Sequence, residues 1–255
     1  MEPVTPEPPR GVGRTVFTQT WAELALLHWA VEPDRVQPYL PPGTRPDVLD
    51  GVAYVGLVPF RMRGIGAWGS PGLPYFGSFL ETNVRLYSVD RQGRRGVVFL
   101  SLDASRLAAV AAARWGPRLP YLWSSMRLVR ENDPAEDAEP AADLVGERVE
   151  YRCRRRWPGP RGASSTIRVR VGQPIEAGPL EHFLTARWGL HLGSGRRTFY
   201  WPNAHPRWPL HAAEAERVDD ELLAAAGFAG LAQRRPDSVL YSPGVHAVFG
   251  PRLPA

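Results

Sequence analysis

The sequence predicts a mainly β fold of the α+β class, with a few helices, in a single domain. Segments of alternating apolar and polar residues recur along the chain, which is typical of half-buried strands. Clusters of Gly and Pro separate these segments, as expected for turns between strands. The chain has 255 residues, of which 44% are hydrophobic, so it is long enough to bury a large core.

The charge of the chain comes from an unusual source, because its 31 basic residues are all arginine and lysine is absent. With 26 acidic residues the net charge is +5. The arginines are scattered, and the densest run is "RCRRR" at residues 152–156. Arginine binds phosphate well, but no stripe of interleaved basic and aromatic residues is visible along the sequence. The sequence therefore predicts no nucleic-acid partner.

Cysteine usage and the N-terminus indicate a cytoplasmic protein. Cys153 is the single cysteine, which excludes an internal disulfide and suits a reducing compartment. No stretch reaches the ~20 apolar residues of a membrane span, so we expect no membrane partner. Residues 1–14 are rich in proline and acids, unlike a signal peptide, and are predicted to form a disordered tail. Residues 15–255 are then one domain.

The N-terminal half contains mostly strand patterns. "TWAELALLHWAV" is apolar enough for a buried strand or a helix, and "EPDRVQPYLPPG" predicts a short helical turn stopped by prolines. Asp50-Gly51 between apolar runs predicts a hairpin. The Gly/Pro-rich residues 64–78 predict a loop. Residues 79–88 and 97–103 alternate and predict an antiparallel hairpin.

Helices are predicted at three places. An Ala-rich helix is expected from about Ser105 to Trp115, with Asp103 or Ser105 as its N-cap and Gly116 at its end. "PLEHFLTARWGLHL" predicts a helix that carries Arg187 on an apolar stripe. "DDELLAAAGF" predicts a short helix with an Asp cap and Gly227 at its end.

The remaining segments are a loop and strands. Residues 131–143 are acidic and predict an exposed loop. "ERVEYRCRRR" and "STIRVRVG" alternate and predict an antiparallel pair with an apolar buried face and an Arg/Glu face toward solvent. "VLYSPGVHAVFGP" predicts a final strand pair.

Polar residues set into two apolar strands are the candidate site. In "FLETNVRLYS" the side chains of Glu81, Asn83 and Arg85 share one face. In "GVVFLSLDAS" the side chains of Ser101 and Asp103 share a face. If these faces coincide, two carboxylates, an amide and a guanidinium come together. The commoner alternative for a single antiparallel strand is a solvated outer face.

Motifs for cofactors and metals are absent. There is no P-loop and no GxSxG elbow, and the GxGxxG match "GIGAWG" at residues 64–69 lies in the predicted Gly/Pro-rich loop. The six histidines show no metal-ligand spacing. We therefore expect no cofactor and no metal.

Several long segments resemble the YqjF-like family of uncharacterised bacterial proteins. They are "LLHWAVEPDRVQPYLPPG", "DVLDGVAYVGLVPFRM", "FLETNVRLYS", "GVVFLSLDAS", "AARWGPRLPYLWSSM", "GPLEHFLTARWGLH" and "HPRWPL", in this order. The resemblance covers roughly Val16 to Phe249. This family is similar to a distant branch of the acetoacetate decarboxylase-like superfamily, which implies a closed or cone-shaped antiparallel β-barrel with an internal pocket and a few outer helices.

The resemblance also bears on chemistry. Acetoacetate decarboxylase forms a Schiff base through a lysine, and the similar stretch here, "WGPRLPYLW", has Pro120-Tyr121 in its place. Since the chain has no lysine, a Schiff-base decarboxylase is excluded unless the N-terminal amine serves. The superfamily's strand glutamate matches Glu81, so the polar face of residues 81–87 is expected to face the lumen, with Arg85 or Arg187 as the salt-bridge partner of Glu81.

Three functional interpretations remain open. The first is an enzyme acting on a small anionic metabolite by enolisation, dehydration or hydrolysis. In it Arg85 or Arg187, with Asn83 and Ser101, binds the substrate, and the catalytic candidates are Glu81, Asp103, Tyr121 and His205. The second is a non-catalytic binder of such a metabolite. The third is a purely structural ion network. A cavity of roughly 300 Å³ or more beside Glu81 favours ligand use, and a filled interior favours the structural network.

Overall fold

The computed structural model describes residues 1–67, 77–116, 118–131 and 144–255, and in them thirteen strands form one sheet. The strands are β1 (Phe17–Val31), β2 (Thr44–Pro46), β3 (Ala53–Ala67), β4 (Phe79–Asp90), β5 (Arg95–Ala104), β6 (Tyr121–Arg130), β7 (Arg148–Trp157), β8 (Ser164–Pro174), β9 (Gly189–Ser194), β10 (Arg197–Ala204), β11 (His211–Asp220), β12 (Ser238–Phe249) and β13 (Leu253–Pro254). The α-helices are α1 (Pro33–Val36), α2 (Leu107–Trp115), α3 (Pro179–Thr185) and α4 (Leu222–Ala225). The predicted mainly β class with few helices is confirmed.

The sheet curls on itself. Neighbouring strands run from β5 through β6, β7, β8, β11, β12, β1 and β3 to β4, and β4 pairs with β5 again. Most pairings are antiparallel, as predicted, but β5 pairs in parallel with both β6 and β9. β5 therefore lies at a junction where the sheet branches, with neighbours from three parts of the chain. None of the helices described has the length and apolarity to span a membrane.

The ambiguous first segment is β1, a strand of fifteen residues. Residues 22–29 are buried without interruption, because β1 lies between β3 and β12 and packs on both faces. A strand buried on both sides loses the apolar/polar alternation that identifies a half-buried strand. This is the physical reason why its sequence pattern could not distinguish strand from helix.

The two predicted hairpins have different outcomes. β4 and β5 pair antiparallel across the turn that begins at Asp90, whose Oδ1 accepts the N–H groups of Gln92 and Arg94 at 2.9 Å, so this hairpin is confirmed. Asp50 and Gly51 both have positive φ, as in a type I′ turn. However, the residues on either side of this turn form only one isolated β-bridge, between Leu49 and Val52, and not two paired strands. The expected strand hairpin there is therefore wrong.

Helix ends depart from the expected caps. α2 begins at Leu107 without a side-chain cap, since Asp103 lies inside β5. α3 ends at Thr185, so Arg187 lies beyond it. α4 is confirmed, with the Leu223 N–H donating to Asp220 at 2.8 Å and Gly227 at φ +99° after its end.

Three further segments differ from expectation or lie outside the description. The predicted C-terminal strand pair is the single strand β12. The start of the predicted 64–78 loop belongs to β3, and residues 68–76 lie outside the described residues. The predicted acidic loop also lies outside them, apart from Glu131.

The N-terminal segment 1–14 contains no helix or strand, but it contacts the sheet. The Glu2 N–H donates to the Gly93 carbonyl at 2.8 Å, and Trp188 Nε1 donates to the Thr5 carbonyl at 3.3 Å. The structure thus places against the sheet a segment that the sequence predicts to be disordered. The domain boundary at residue 15 stays a prediction.

The predicted pair β7–β8 is confirmed, but its buried face also carries an arginine. Arg152, Arg154 and Arg156 are exposed, whereas Arg155 is buried. The Arg155 guanidinium binds the Asp103 carboxylate through two hydrogen bonds of 2.9 and 2.7 Å, and Ser124 Oγ donates to the same carboxylate at 2.7 Å. One arginine of the densest run therefore belongs to the core.

We expect Asp103→Asn to lower the free energy of unfolding by ~3–5 kcal/mol, because the buried Arg155 guanidinium loses its counter-charge. Chemical denaturation at pH 7 measures the loss. Arg154→Ala, at the exposed neighbour of Arg155, is the control and should change stability by no more than ~0.5 kcal/mol. Equal stabilities for the two variants would show that the buried pair contributes nothing.

Candidate functional site

A cavity of about 540 Å³ lies inside the fold, against β1, β3, β4 and β5, with α2 and the α3–β9 connection on its other sides. Its lining is mostly apolar and aromatic. The charged and hydrogen-bonding side chains in it include Glu81, Asn83, Arg85, Tyr121, Arg187 and His205. The volume lies within the range of small-molecule sites and exceeds the ~300 Å³ that favours ligand use over a filled interior.

Strand alternation brings three of the predicted residues into the cavity. Glu81, Asn83 and Arg85 are alternate residues of β4, and all three line the cavity. Glu81 is 2% exposed and Asn83 is 4% exposed. The polar face of β4 is therefore an interior face, as the resemblance implied, and not a solvated outer face.

Ser101 and Asp103 do not join them, so the expected convergence of the two strands is wrong. Thr82 pairs with Asp103 and Val84 with Ser101, and paired residues share a face of the sheet. Both side chains consequently point away from the face that carries Glu81. Asp103 is held by Arg155, and Ser101 is buried outside the cavity lining.

A β-bulge in the β4–β5 pairing explains what lines the cavity instead. The register shifts between Val84 and Arg85, so that Arg85 pairs with Phe99. Beyond the bulge, Phe99 and Val97 line the cavity. The sequence pattern could place residues on faces of each strand but could not reveal this one-residue shift.

Among the described residues, the hydrogen-bond partners of the Glu81 carboxyl group are neutral side chains. Tyr121 Oη donates to Glu81 Oε2 at 2.7 Å, and Asn83 also hydrogen-bonds the carboxyl group. Burial raises the pKa of Glu81 to about 7, against the opposing effect of these two hydrogen bonds, and the charge of Asp103 adds to the increase. Burial and the nearby Glu81 raise the pKa of Tyr121 well above its usual value, so the phenol keeps its proton and acts as a donor.

The expected salt bridge from Glu81 to Arg85 or Arg187 is wrong: within the described ranges, Glu81 forms no ion pair. Residues 81 and 85 lie four positions apart on one strand, which separates their Cα atoms by ~13 Å. Arg187 is occupied elsewhere, because its guanidinium donates to the Asp47 carboxylate and its Nε donates to the Phe183 carbonyl at 2.7 Å.

Arg187 is fixed at the opposite end of the cavity from Glu81's partners. Asp47 accepts from both Arg187 and Arg95. The Arg187 guanidinium also stacks on the rings of Phe183 and Tyr87, with its carbon 4.3 and 4.6 Å from the ring centroids. Burial lowers the pKa of Arg187, and Asp47 opposes that effect. The Arg187 guanidinium is therefore held mainly by Asp47, Phe183 and Tyr87, and part of the side chain lines the cavity.

Arg85 differs from Arg187, because no carboxylate contacts it in the part of the chain that the structure describes. Its Nε donates to Tyr87 Oη at 3.0 Å and its Nη2 donates to the Leu184 carbonyl at 3.3 Å. The residue is half-buried and lines the cavity. His28 Nε2 lies 2.6 Å from the same Tyr87 hydroxyl. Burial and the charges of Arg85 and Arg187 lower the pKa of His28 well below its usual value, so His28 is neutral.

His205 lies on the aromatic side of the cavity. Its ring centroid is 4.5 Å from that of Trp188 and 5.0 Å from that of Trp208. Burial lowers the pKa of His205 to about 4. Its Nδ1 lies 2.7 Å from the Pro206 carbonyl oxygen, which can only accept, so the neutral ring carries its proton on Nδ1 and leaves Nε2 as an acceptor.

Sequence reasoning missed Asn203, Asp47 and Tyr87. Asn203 lines the cavity from β10. The side-chain oxygens of Asn83 and Asn203 are buried without a hydrogen-bond partner in the structure. Asp47 and Tyr87 fix the two arginines. Tyr87 could have been found from its place on the same β4 face as Arg85, whereas Asn203 carries no local signal.

No metal site accompanies this arrangement. Among the described residues, no group of three or more His, Cys, Asp and Glu side chains is arranged to hold a metal ion. The carboxylates are dispersed, and Asp47 and Asp103 are already bound by arginine.

Solved structures show what fold encloses this cavity. The chain is similar to an acetoacetate decarboxylase-like enzyme from Sphingomonas wittichii RW1, with a TM-score of 0.64, 14% identity, and coverage of 97% of this chain and 96% of that one. The acetoacetate decarboxylase of Legionella pneumophila gives 0.62 at 14% identity, covering 97% and 91%. The enduracididine biosynthesis enzyme MppR complexed with pyruvate gives 0.62 at 14% identity, covering 97% and 90%. At this identity the likeness establishes an acetoacetate decarboxylase-like fold.

Sequence comparison identifies the family. The uncharacterized protein YqjF of Bacillus subtilis strain 168 is 28% identical over 204 residues, which cover 80% of this chain and 78% of YqjF. A family model described as an uncharacterized conserved protein, DUF2071, matches residues 18–246. The chain belongs to the DUF2071 family.

Proposed function

We propose that the cavity binds a small keto acid and that Glu81 moves a proton on the carbon next to the keto group. The observation that carries the proposal is that one face of β4 presents both an acid and a cation to the cavity. Glu81 is a buried carboxyl group with a pKa of about 7, and Arg85 is a guanidinium without a carboxylate partner in the described part of the chain. A base for carbon acids and a receptor for an anion therefore face the same space.

The charges around the cavity support an anionic ligand. Arg85 and Arg187 line the cavity, and Asp47 is shared between Arg187 and the adjacent Arg95, so this carboxylate faces two guanidinium groups. The Arg85 guanidinium is also desolvated in part, since it is half-buried. A carboxylate bound there gains a charge-assisted hydrogen bond that water screens poorly.

The proposed step balances without a cofactor. The ionised Glu81 carboxylate takes a proton from the carbon beside the keto group, the electron pair of that C–H bond forms the enolate double bond, and negative charge moves to the keto oxygen. Return of the proton from Glu81 regenerates the keto acid or its isomer. A pKa near 7 suits this cycle, because the same group is basic enough to accept the proton and acidic enough to return it.

Three features favour a keto acid as the ligand. The cavity of about 540 Å³ and its apolar, aromatic lining accommodate an acid larger than a three-carbon acid, with an apolar body. The unpartnered oxygens of Asn83 and Asn203 favour a ligand with a hydroxyl or enol donor. Among proteins of this fold, MppR was solved with pyruvate, and others are acetoacetate decarboxylases, so keto acids are the class that the neighbours' names support.

A second candidate function is binding without turnover. The pKa values of the lining groups favour it. Glu81 has a pKa near neutrality, whereas His205 has a pKa of about 4, so His205 does not provide a second group that exchanges protons near pH 7. The two functions share the ligand and differ in one observable: only the enzyme exchanges the ligand's carbon-bound hydrogen with solvent.

Ligand binding is testable by thermal shift with a panel of 2- and 3-keto acids. A ligand at 100 times its Kd should stabilise the protein by ~2.7 kcal/mol. Arg85→Gln should weaken binding by about 10- to 100-fold, since it removes a charge-assisted hydrogen bond. Arg235→Gln, at an exposed position, is the matched control and should bind as the parent does. An unchanged Kd in Arg85→Gln contradicts the assignment of the anion-binding end.

Proton transfer is testable by NMR of a bound keto acid in D₂O. The rate of hydrogen exchange should rise with pH through about 7, because the carboxylate form of Glu81 is the base. Glu81→Gln should abolish exchange and retain ligand binding. Binding without exchange in the parent protein would support the binder, and exchange that survives in Glu81→Gln would remove Glu81 from the role of base.

The protonation of Glu81 is also testable without any ligand. Burial raises the pKa of Glu81 from 4.5 to about 7, so the folded state holds its proton more tightly than the unfolded chain. The parent protein should therefore lose ~3 kcal/mol relative to Glu81→Gln as pH rises from 4.5 through 7. Denaturation of both proteins at pH 4.5 and pH 8 measures the difference. A stability gap that is independent of pH would mean that the pKa of Glu81 is the same in the folded and unfolded states, so that burial does not raise it.

A further inference from the structure

A second concave surface lies on the outside of the sheet, and its lining is rich in arginine, unlike that of the apolar cavity. It is a groove of about 1660 Å³ between the outer faces of β6 and β7, the β7–β8 hairpin and one side of α2. We call it the Arg–Trp groove. Its arginines and tryptophans are Arg114, Arg127, Arg152, Arg154, Arg155, Arg156, Arg161, Trp115, Trp123 and Trp157.

The positive charge of the Arg–Trp groove is largely uncompensated. Arg155 is bound to Asp103 and Arg152 to Glu150. Arg154 interacts electrostatically with Glu221. The other four arginines, Arg114, Arg127, Arg156 and Arg161, form no ion pair with a carboxylate in the described ranges, whereas the exposed Arg168 nearby pairs with Glu150. Among the described residues, an excess of about four positive charges in one concavity attracts a polyanion.

Three tryptophans, Trp115, Trp123 and Trp157, lie within this charged surface. Trp123 pairs directly with Trp157 across β6 and β7. Trp115 is the last residue of α2 and is 83% exposed, and Trp157 is 45% exposed. Large aromatic side chains are seldom left exposed together in a soluble protein without a binding partner.

Two of the arginines lie over tryptophan rings within the distance of a cation–π contact. The guanidinium carbon of Arg114 is 5.7 Å from the Trp157 ring centroid, and that of Arg156 is 5.3 Å from the Trp123 centroid. Within the described residues, none of the three tryptophans stacks on another aromatic ring. Trp115 and Trp157 are exposed and Trp123 is half-buried, so part of each ring is available to planar groups of a ligand.

We propose that the Arg–Trp groove binds single-stranded nucleic acid, with arginines on phosphates and bases stacked on Trp115, Trp123 and Trp157. The phosphates and planar bases of a single strand match a surface that combines guanidinium and indole groups, and such a surface binds without strong sequence preference. An acidic peptide satisfies the charge but offers no regular series of planar groups to the rings. Trp115, Trp123 and Trp157 are separated along the chain, which is why the sequence shows no basic and aromatic stripe.

The test is fluorescence anisotropy with labelled dT12 and rU12 on the full chain. We expect binding of both, with affinity falling roughly 20-fold between 50 and 200 mM salt if three phosphates are contacted. Trp115→Ala should weaken binding by about 5-fold or more through lost stacking. Arg154→Glu should weaken binding and reduce the salt slope by about 0.7, whereas Arg235→Glu makes the same charge change away from the groove and should have little effect.

Several outcomes would overturn the proposal. The first is the absence of binding at 50 mM salt. The second is an equal loss of affinity in Arg154→Glu and Arg235→Glu. The third is a poly-glutamate peptide that competes as well as dT12 at equal charge, together with an unchanged affinity in Trp115→Ala. The last result would assign the groove to acidic peptides. The rU12 and dT12 arms show whether RNA or DNA is preferred. Each variant's melting temperature is measured to confirm that these exposed substitutions leave the fold intact.

Discussion

The register of β4 against its two neighbours determines which charged groups enter the cavity. Side chains of a strand alternate between faces, so a shift of one residue would exchange Glu81, Asn83 and Arg85 for Thr82 and Val84. The pairing with β3 and β5 fixes this register along most of the strand. The bulge at Val84/Arg85 then directs Phe99 inward and keeps Asp103 on the opposite face. Both the cavity and the buried Asp103–Arg155 pair follow from this one alignment.

The buried carboxyl groups of Glu23, Asp47 and Asp103 differ from that of Glu81. Glu23 accepts from Arg61 and Arg130 at 2.7 Å each, Asp103 from Arg155, and Asp47 from two arginines. Each of these carboxylates is compensated by a cation and serves to hold strands together. In the described part of the chain Glu81 receives hydrogen bonds from neutral donors and forms no ion pair, and burial raises its pKa to about 7. A carboxyl group left uncompensated beside a cavity costs stability whenever it is ionised.

Much of the fold and part of the site could be predicted from the sequence. Strand alternation and turn residues identified β4, β5, β7 and β8, and alternation placed Glu81, Asn83 and Arg85 on one face. What failed depended on contacts between distant segments. The bulge separated Asp103 from Glu81, Asp47 bound Arg187, and burial on both sides hid the strand character of β1. Local patterns record the period of an element but not its register or its partners.

The exclusive use of arginine limits the chemistry that this fold can perform here. An arginine side chain stays protonated in proteins, so none of the 31 basic side chains can act as the amine that attacks a keto group. Arginine can still bind carboxylates in two-point contact and can hold a fixed charge in a buried place, as Arg155 and Arg187 do. Covalent catalysis by an internal lysine is therefore absent from this cavity. What the described lining offers instead is a group that exchanges protons, because Glu81 has a pKa of about 7.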